Sequence, residues 1–187
     1  MANANSSLIT GRFRKMLGKE LVFREWDGMT VVSKAPRSGK GRSSLAQQET
    51  RERFIMASRY ACFVKNNPDQ AMAKAYAAAL RPRQNIYSRA LEDYLKAPVV
   101  NDINVQAYSG AAGSRIQVNA VDDFRVAEVS VFIYTAGDRL LEKGFAAPNG
   151  VFWDYTARQA NNALAGTKIL VVATDLAGNK GRREIIL

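Results

Sequence analysis

The chain has 187 residues, of which 27 are Lys or Arg, 17 are Asp or Glu and none is His, giving a formal net charge of +10 at pH 7. The lack of histidine excludes Ser-His and Cys-His catalytic pairs and the usual general base near neutral pH. We therefore predict a non-enzymatic protein with no cofactor, no metal site and no catalytic residues. No apolar run reaches the length of a membrane span, and the start "MANANSSLITGRFRK" lacks the order of a secretory signal. We expect a cytoplasmic protein that contacts no membrane.

Charge is distributed unevenly along the chain. Residues 1–100 contain 18 basic and 8 acidic side chains, whereas residues 101–187 contain 9 of each. The change falls beside "KAPVVND" at 96–102, where Pro98 prevents a helix from continuing. The sequence predicts two domains, residues 1–98 and residues 103–187.

The first predicted element is a β-hairpin in "ELVFREWDGMTVVSK". Asp27-Gly28 is a favoured two-residue turn, and β-prone residues flank it on both sides. Alternation places Leu21 and Phe23 on one face. A two-stranded ribbon is marginal alone, so we expect it to pack against the helices that follow.

Three helices are predicted after the hairpin. Ser43 or Ser44 caps the first, whose apolar face is predicted to contain Met56, Ala57, Tyr60, Ala61, Phe63 and Val64. Asn67 followed by Pro68 predicts the start of a second helix, and "RPR" at 81–83 ends it. The segment "NIYSRALEDYLKAP" supplies the third. The N-terminal domain is thus predicted as an α+β module, a β-hairpin plus three helices.

The basic, glycine-containing segment "VVSKAPRSGKGRSSLAQQ" at 31–48 is not a Walker loop. Lys34 stands where the motif requires its first glycine, and Gly41 stands where it requires a hydroxyl. Alone, the segment is typical of a flexible connector. With the other basic residues of this half it also predicts a surface that binds nucleic acid or another polyanion through counterion release. The candidate contacts are Arg12, Arg14, Lys15, Arg37, Lys40, Arg42, Arg51, Arg59, Arg81 and Arg83.

From about residue 103 the pattern changes to short β segments separated by turns. The segments are "RIQVNAV", "VAEVSVFIYT", "RLLEKGFA", "GVFWDYTA", "TKILVVATD" and "RREIIL". Val129, Val131 and Ile133 alternate on one face, and "ILVVATD" is apolar enough for a central strand. Six or seven strands over about 85 residues predict an all-β immunoglobulin-like or fibronectin-like sandwich.

Asp122, Asp123 and Asp175 allow two interpretations. They can meet at one end of the sandwich and bind calcium, or each can be a turn residue that bonds its own backbone. Because the chain has no dense D-x-D-x-D-G loop, we favour the turn interpretation and predict no metal site.

Several of these segments together resemble an uncharacterised family of Bacteroidetes proteins. The resemblance is carried by "GKELVFREWDGMTVVSKAP", "AQQETRERF", "NIYSRALEDYLKAPVV" and "VDDFRVAEVSVFI" with "ATDLAGNKG". It implies a basic N-terminal module followed by an Ig-like domain, and it implies no activity or site.

Two functions follow from these patterns. In the first, the basic module contacts nucleic acid or an acidic protein surface, and the Ig-like domain contacts a protein or a glycan. In the second, the chain is a structural subunit of a phage-like or other macromolecular assembly with an Ig-like decoration domain. Homo-oligomerisation is compatible with both.

Overall fold

The structure is a computed structural model that describes residues 2–3, 15–18, 20–26, 28–36 and 43–187. The chain divides into two compact units, residues 1–48 and residues 49–187. The described part contains three helices and three antiparallel sheets. The predicted combination of helices and a β-rich segment is confirmed at this level.

The first unit contains a four-stranded antiparallel sheet. Its strands are β1 (Ala2–Asn3), β2 (Lys15–Leu17), β3 (Leu21–Trp26) and β4 (Met29–Lys34), in the order β1-β4-β3-β2. Pairing of Trp26 with Met29 confirms the predicted hairpin. Gly28 adopts a φ of 72°, which glycine reaches without strain. The hairpin is therefore extended by one short strand on each side, which the sequence did not predict.

The three predicted helices are present as α1 (Leu45–Asn66), α2 (Ala71–Ala78) and α3 (Ile86–Leu95). Ser44 caps α1, because its Oγ accepts from the Gln47 N–H while Gln47 Oε1 accepts from the Ser44 N–H. Asn85 and Ser88 form the same reciprocal arrangement at the start of α3.

The predicted start of the second helix is wrong. α2 begins at Ala71 with Gln70 in the N-cap position, three residues after Pro68. The Asn67 side chain instead donates to the carbonyl of Phe63, in the last turn of α1. Asn67 therefore satisfies an end carbonyl of one helix rather than a first amide of the next.

Two four-stranded antiparallel sheets complete the second unit. One contains β5 (Val99–Asn104), β6 (Arg115–Val121), β10 (Phe152–Thr156) and β9 (Ala147–Asn149), in that order. The other contains β12 (Lys180–Ile186), β11 (Lys168–Asp175), β7 (Val126–Tyr134) and β8 (Leu140–Phe145), in that order. The six predicted segments are all strands. β5 and β9 were not predicted, and β5 occupies residues assigned to the boundary between the two predicted domains.

Both of these sheets contribute to one hydrophobic core. Val129, Val131 and Ile133 from β7 are fully buried, as their alternation predicts. β11 lies between β12 and β7, which confirms it as a central strand. Ile116 and Val118 bring the other sheet into the same core.

The helices and the sheets of the second unit are in direct contact. The Phe124 ring, in the loop after β6, stacks on the Tyr76 ring of α2 with centroids 4.6 Å apart. The Asn179 side-chain amide donates to the carbonyls of Asp93 and Lys96 at the end of α3. Independent folding of residues 1–98 and 103–187 stays a prediction. In the structure, α2, α3 and the two sheets belong to one compact unit.

Within the described ranges, no helix is both long enough and apolar enough to cross a membrane.

Candidate functional site

Most of the predicted polyanion contacts lie in the first unit. Arg12, Arg14, Arg37, Lys40 and Arg42 lie outside the described residues. Lys15 pairs through its backbone with Phe23 at the edge of the sheet, and its side chain also lies outside the described part. The segment "RSGKGRSS" is described only from Ser43 onward.

Helix α1 presents Arg51 and Arg59 at exposed positions, together with several large apolar side chains. About half of each apolar side chain is exposed, namely Phe54, Ile55, Met56 and Phe63. The predicted apolar face is therefore wrong for Met56 and Phe63. The reason is that α1 packs through its small residues, Ala57, Ala61 and Val64, which are fully or almost fully buried.

Arg81 and Arg83, the last two predicted contacts, lie between α2 and α3. Arg81 forms ion pairs with Glu92 at 3.5 Å and with Asp123 at 3.3 Å. Arg83 is exposed and has a φ of 65°. Because Arg81 is already paired with two carboxylates, its charge is less available to an external polyanion.

Arg81 belongs to a larger group of ion pairs between the helices and the loop after β6. Arg89, almost fully buried, donates to Asp123 Oδ2 at 2.9 Å and to its carbonyl at 2.7 Å. Lys96 contacts Glu92 at 3.0 Å and Asp123 at 3.3 Å. The hydrogen bond from Arg89 holds the pKa of Asp123 below its ordinary value, and the bond from Lys96 lowers the pKa of Glu92.

A second cluster, the acidic triplet, consists of Asp93 of α3, Asp122 after β6 and Asp175 at the end of β11. One carboxylate oxygen from each residue lies within 4.8 Å of the others. Asp93 and Asp175 are buried, and Asp122 is half-buried. The structure thus brings together two of the three aspartates singled out from the sequence. It places Asp123 in the ion-pair group instead and adds Asp93.

Local hydrogen bonds orient each carboxylate of the acidic triplet. The Tyr76 hydroxyl donates to Asp93 Oδ2 at 2.5 Å. The backbone N–H groups of Phe124 and Arg125 both donate to Asp122 Oδ2 at 2.9 Å. Asp175 accepts from the Asn179 backbone N–H and side-chain amide, both at 2.7 Å.

The turn interpretation is therefore correct for the bonds of Asp122 and Asp175. The close approach of the two residues adds a feature that the turn interpretation does not contain.

Two oxygens of the acidic triplet have no donor. Asp93 Oδ1 and Asp122 Oδ1 are enclosed and accept no hydrogen bond from any described residue. Burial raises the pKa of Asp93 to about 7, and the charges of Asp175 and Asp122 raise it as well. The hydrogen bond from Tyr76 acts in the opposite direction and lowers this pKa. Burial also raises the pKa of Asp175. The triplet therefore holds three carboxyl groups close together, and burial disfavours the charged forms of Asp93 and Asp175.

One feature of the sequence indicates that Asp93 has a special environment. With Arg89 and Ala90, this residue lies on the buried side of α3, where helical periodicity predicts an apolar residue. A charged residue at such a position needs a partner or a ligand.

On the sheet formed by β7 and β8, a shallow depression of about 320 Å³ is lined by Ser130, Phe132, Lys143, Gly144, Phe145 and Arg158. Phe145 is 67% exposed, which is unusual for a phenylalanine of a strand. The depression combines two aromatic side chains with two cations.

Comparisons with known proteins add little to this geometry. No family model matches the chain, and no curated protein matches it. Among solved structures, the crystal structure of an engineered protein from the Northeast Structural Genomics Consortium is 20% identical, with a TM-score of 0.32. The match covers 63% of this chain and 27% of the engineered protein. The resemblance to a Bacteroidetes family stays a prediction.

Proposed function

We propose that the chain is a non-enzymatic binding protein whose first unit contacts nucleic acid, mainly through phosphates, and whose sheet-rich part is an Ig-like domain that contacts a protein or a glycan. The observation that carries the proposal is the charge of the first unit. Residues 1–48 contain nine basic and three acidic side chains, a net charge of +6 in about a quarter of the chain. Basic residues concentrated on a compact module are the usual electrostatic footprint of phosphate binding.

The second unit is less suited to phosphate binding. Its 18 basic side chains are offset by 14 acidic ones, and several are held in ion pairs. Arg81, Arg89 and Lys96 all contact Glu92 or Asp123. We therefore assign the principal contacts to Arg12, Arg14, Lys15, Arg37, Lys40 and Arg42, with Arg51 and Arg59 as additional contacts.

The strand order supports the Ig-like assignment. The order β5-β6-β10-β9 corresponds to strands A, B, E and D of that fold, and β12-β11-β7-β8 corresponds to G, F, C and C′. The depression around Phe145, on the C and C′ strands, is the proposed contact surface for a protein or glycan. Its two cations, Lys143 and Arg158, favour a ligand that carries carboxylates.

The nucleic-acid proposal is tested by electrophoretic mobility shift of labelled DNA and RNA with the full chain over a range of salt concentrations. We expect binding with little sequence preference, and an affinity that falls as salt increases. Changing Arg37, Lys40 and Arg42 together to Ser should reduce the salt slope by up to about three units.

A matched control changes Arg139, Lys180 and Arg182, three exposed basic residues of the second unit, to Ser. The control removes the same charge and should leave the slope unchanged. No shift of DNA or RNA by the wild-type chain at micromolar concentration and low salt would refute the nucleic-acid proposal.

One observation favours the second candidate function, a subunit of a larger assembly. Ile55, Met56 and Phe63 surround Arg59 on one side of α1, because each lies three or four residues from Arg59. Large apolar side chains grouped at an exposed surface are typical of protein–protein interfaces. Sedimentation and electron microscopy of the purified chain separate particles or filaments from monomers.

A further inference from the structure

We propose that the acidic triplet, Asp93, Asp122 and Asp175, is a binding site for a divalent cation of the size of Ca²⁺. The site lies in the second unit and is independent of the proposed polyanion contacts in residues 1–48. Failure of either proposal therefore leaves the other standing.

The ligand set fits calcium. One oxygen from each residue lies within 4.8 Å of the others, so a single ion can contact all three. Ca²⁺ accepts irregular arrangements of oxygen ligands, whereas Mg²⁺ demands near-ideal octahedral geometry and usually keeps several waters. A largely buried site made from carboxylates of three separate elements therefore suits Ca²⁺ better than Mg²⁺.

The second observation is the unsatisfied hydrogen-bonding capacity of Asp93. Its side chain is fully buried, and within the described residues its Oδ1 accepts no hydrogen bond. Asp122 Oδ1 is in the same condition. Enclosing a carboxylate oxygen without a donor is unfavourable, and native structures rarely retain such atoms unless an ion or a water occupies the site. A cation that both oxygens contact would satisfy them.

The remaining oxygens of the triplet carry the bonds that hold ligands in position. Tyr76 fixes Asp93, the amides of Phe124 and Arg125 fix Asp122, and Asn179 fixes Asp175. Partners of this kind determine the orientation of metal ligands in known sites. The site is therefore organised before the ion binds.

The adjacent guanidinium does not neutralise the cluster. The side chain of Arg89 bonds to Glu92 and Asp123. Its charge lowers the pKa of Asp93, but burial and the charges of Asp175 and Asp122 outweigh it and raise that pKa. The alternative way to reduce repulsion among three close carboxylates is for one of them to keep a proton. Protonation and cation binding make different experimental predictions.

The three ligands come from different elements of the second unit. Asp93 lies in the last turn of α3, Asp122 begins the loop between β6 and β7, and Asp175 ends β11. A bound cation would link the helical layer to one end of both sheets. Because the ion binds the folded state only, it should raise the thermal stability of this unit.

The test uses the full chain after treatment with EDTA, and follows thermal unfolding by circular dichroism with and without Ca²⁺ at about 5 mM, a concentration chosen to saturate even a weak site. At a hundredfold excess over the dissociation constant we expect the melting temperature to rise by about 5 °C or more. Mg²⁺ at the same concentration should produce a smaller rise. Tb³⁺, which takes similar oxygen ligands, should give luminescence on excitation of tyrosine, because Tyr76 contacts Asp93.

Asp122→Asn is the variant that tests the assignment. Its remaining carbonyl oxygen can still accept from the Phe124 and Arg125 amides, so the turn is retained while the charge is lost. We expect both the Ca²⁺-induced rise and the Tb³⁺ signal to disappear. Asp154→Asn is the matched control. Asp154 lies on β10 and contacts Arg115 of β6, so this change should leave the Ca²⁺-induced rise and the Tb³⁺ signal intact.

Two outcomes would overturn the proposal, one of which needs the wild-type chain alone. If neither Ca²⁺ nor Tb³⁺ has an effect, the triplet retains a proton instead of a cation. Equal stabilisation by Ca²⁺ in the wild type and in Asp122→Asn would also overturn it, because such a response would be a general ionic effect.

Discussion

Residues 1–48 contain nine basic and three acidic side chains, whereas in residues 49–187 the 18 basic side chains are offset by 14 acidic ones. In the second unit, charged groups are used in the interior. Arg89, Asp93, Glu142 and Asp175 are all buried, and all four have hydrogen-bond partners. Hydrogen bonds of this kind offset part of the cost of removing charge from water. On the same unit, Arg81, Arg89 and Lys96 form ion pairs with Glu92 or Asp123, so their charges contribute little to binding an external partner.

The described parts of the two units also differ in their strands and buried residues. The core shared by the two sheets of the second unit contains 15 buried residues. Among the described residues of the first unit, Phe23 and Thr30 are buried. The outer strands of its sheet, β1 and β2, have two and three residues, and short strands are marginally stable without additional contacts. We therefore expect the second unit to be the more stable of the two, and the first unit to depend on a partner for part of its stability.

The largest expected effect comes from Val131→Asp, which places a charge in the core between the sheets. Val131 is fully buried, so we expect loss of cooperative unfolding of the second unit, measured by circular dichroism. Ala127→Asp introduces the same side chain at an exposed position of β7 and should melt like the wild type.

Two-dimensional NMR of Val131→Asp tests whether the two units differ in stability. If signals of residues 1–48 retain their native positions, the first unit is stable by itself and its dependence on a partner is contradicted.

The next effect in size concerns the hydrogen bonds beneath the acidic triplet. The Tyr76 hydroxyl bonds to Asp93 at 2.5 Å and to the Tyr60 hydroxyl at 2.9 Å. Tyr76→Phe leaves a buried carboxylate oxygen without its donor, which should cost about 1–3 kcal/mol of unfolding free energy. Tyr87→Phe, which removes a partly buried bond to Ser58, should cost less. If urea titrations show the same loss of unfolding free energy for both variants, the hydrogen bond from Tyr76 to Asp93 makes no special contribution to stability.

A smaller effect is expected from acid titration of the ion-pair group. The Arg89 hydrogen bond lowers the pKa of Asp123, so the folded protein releases this proton more readily than the unfolded chain does. The resulting stabilisation is complete above the ordinary aspartate pKa of 3.8 and is lost as the pH falls through the lower value of the folded state. The slope of unfolding free energy against pH is proportional to the number of protons taken up on unfolding. In Asp123→Asn, this slope below about pH 5 should correspond to up to about one proton fewer than in the wild type. An unchanged slope would contradict this contribution.

Whether a feature could be predicted from the sequence depends on how far apart along the chain the interacting residues lie. Alternation along β7 identified its buried face, and the apolar composition of β11 identified a central strand, because both signals lie within one strand. β5 was missed because Pro98 indicated a boundary, and because the register of β5 with β6 shifts between Val100 and Asp102.

Long-range contacts account for the site residue that was not found. Asp93 meets Asp175 across 82 positions of the chain, and local periodicity contains no information about such a contact. The approach of Asp122 to Asp175 was considered from the sequence as a cluster at one end of the predicted sandwich. Asp93, the third member of the acidic triplet, reaches them only because α3 packs against the sheets.

The smallest effect on stability, and the sharpest test of the assembly candidate, is expected from the outer side of α1. Met56 and Phe63 are each about half exposed, so Met56→Ser with Phe63→Ser should change the unfolding free energy by about 0.5–1 kcal/mol. If α1 contacts other copies of the chain, the same pair of changes should abolish association in sedimentation velocity experiments. Leu140→Ser with Val151→Ser removes two comparably exposed apolar side chains from the sheet-rich part and should leave association unchanged. A wild-type chain that remains monomeric at high concentration would exclude self-assembly through this helix, and α1 would then be available to a different protein whose acidic groups complement Arg59.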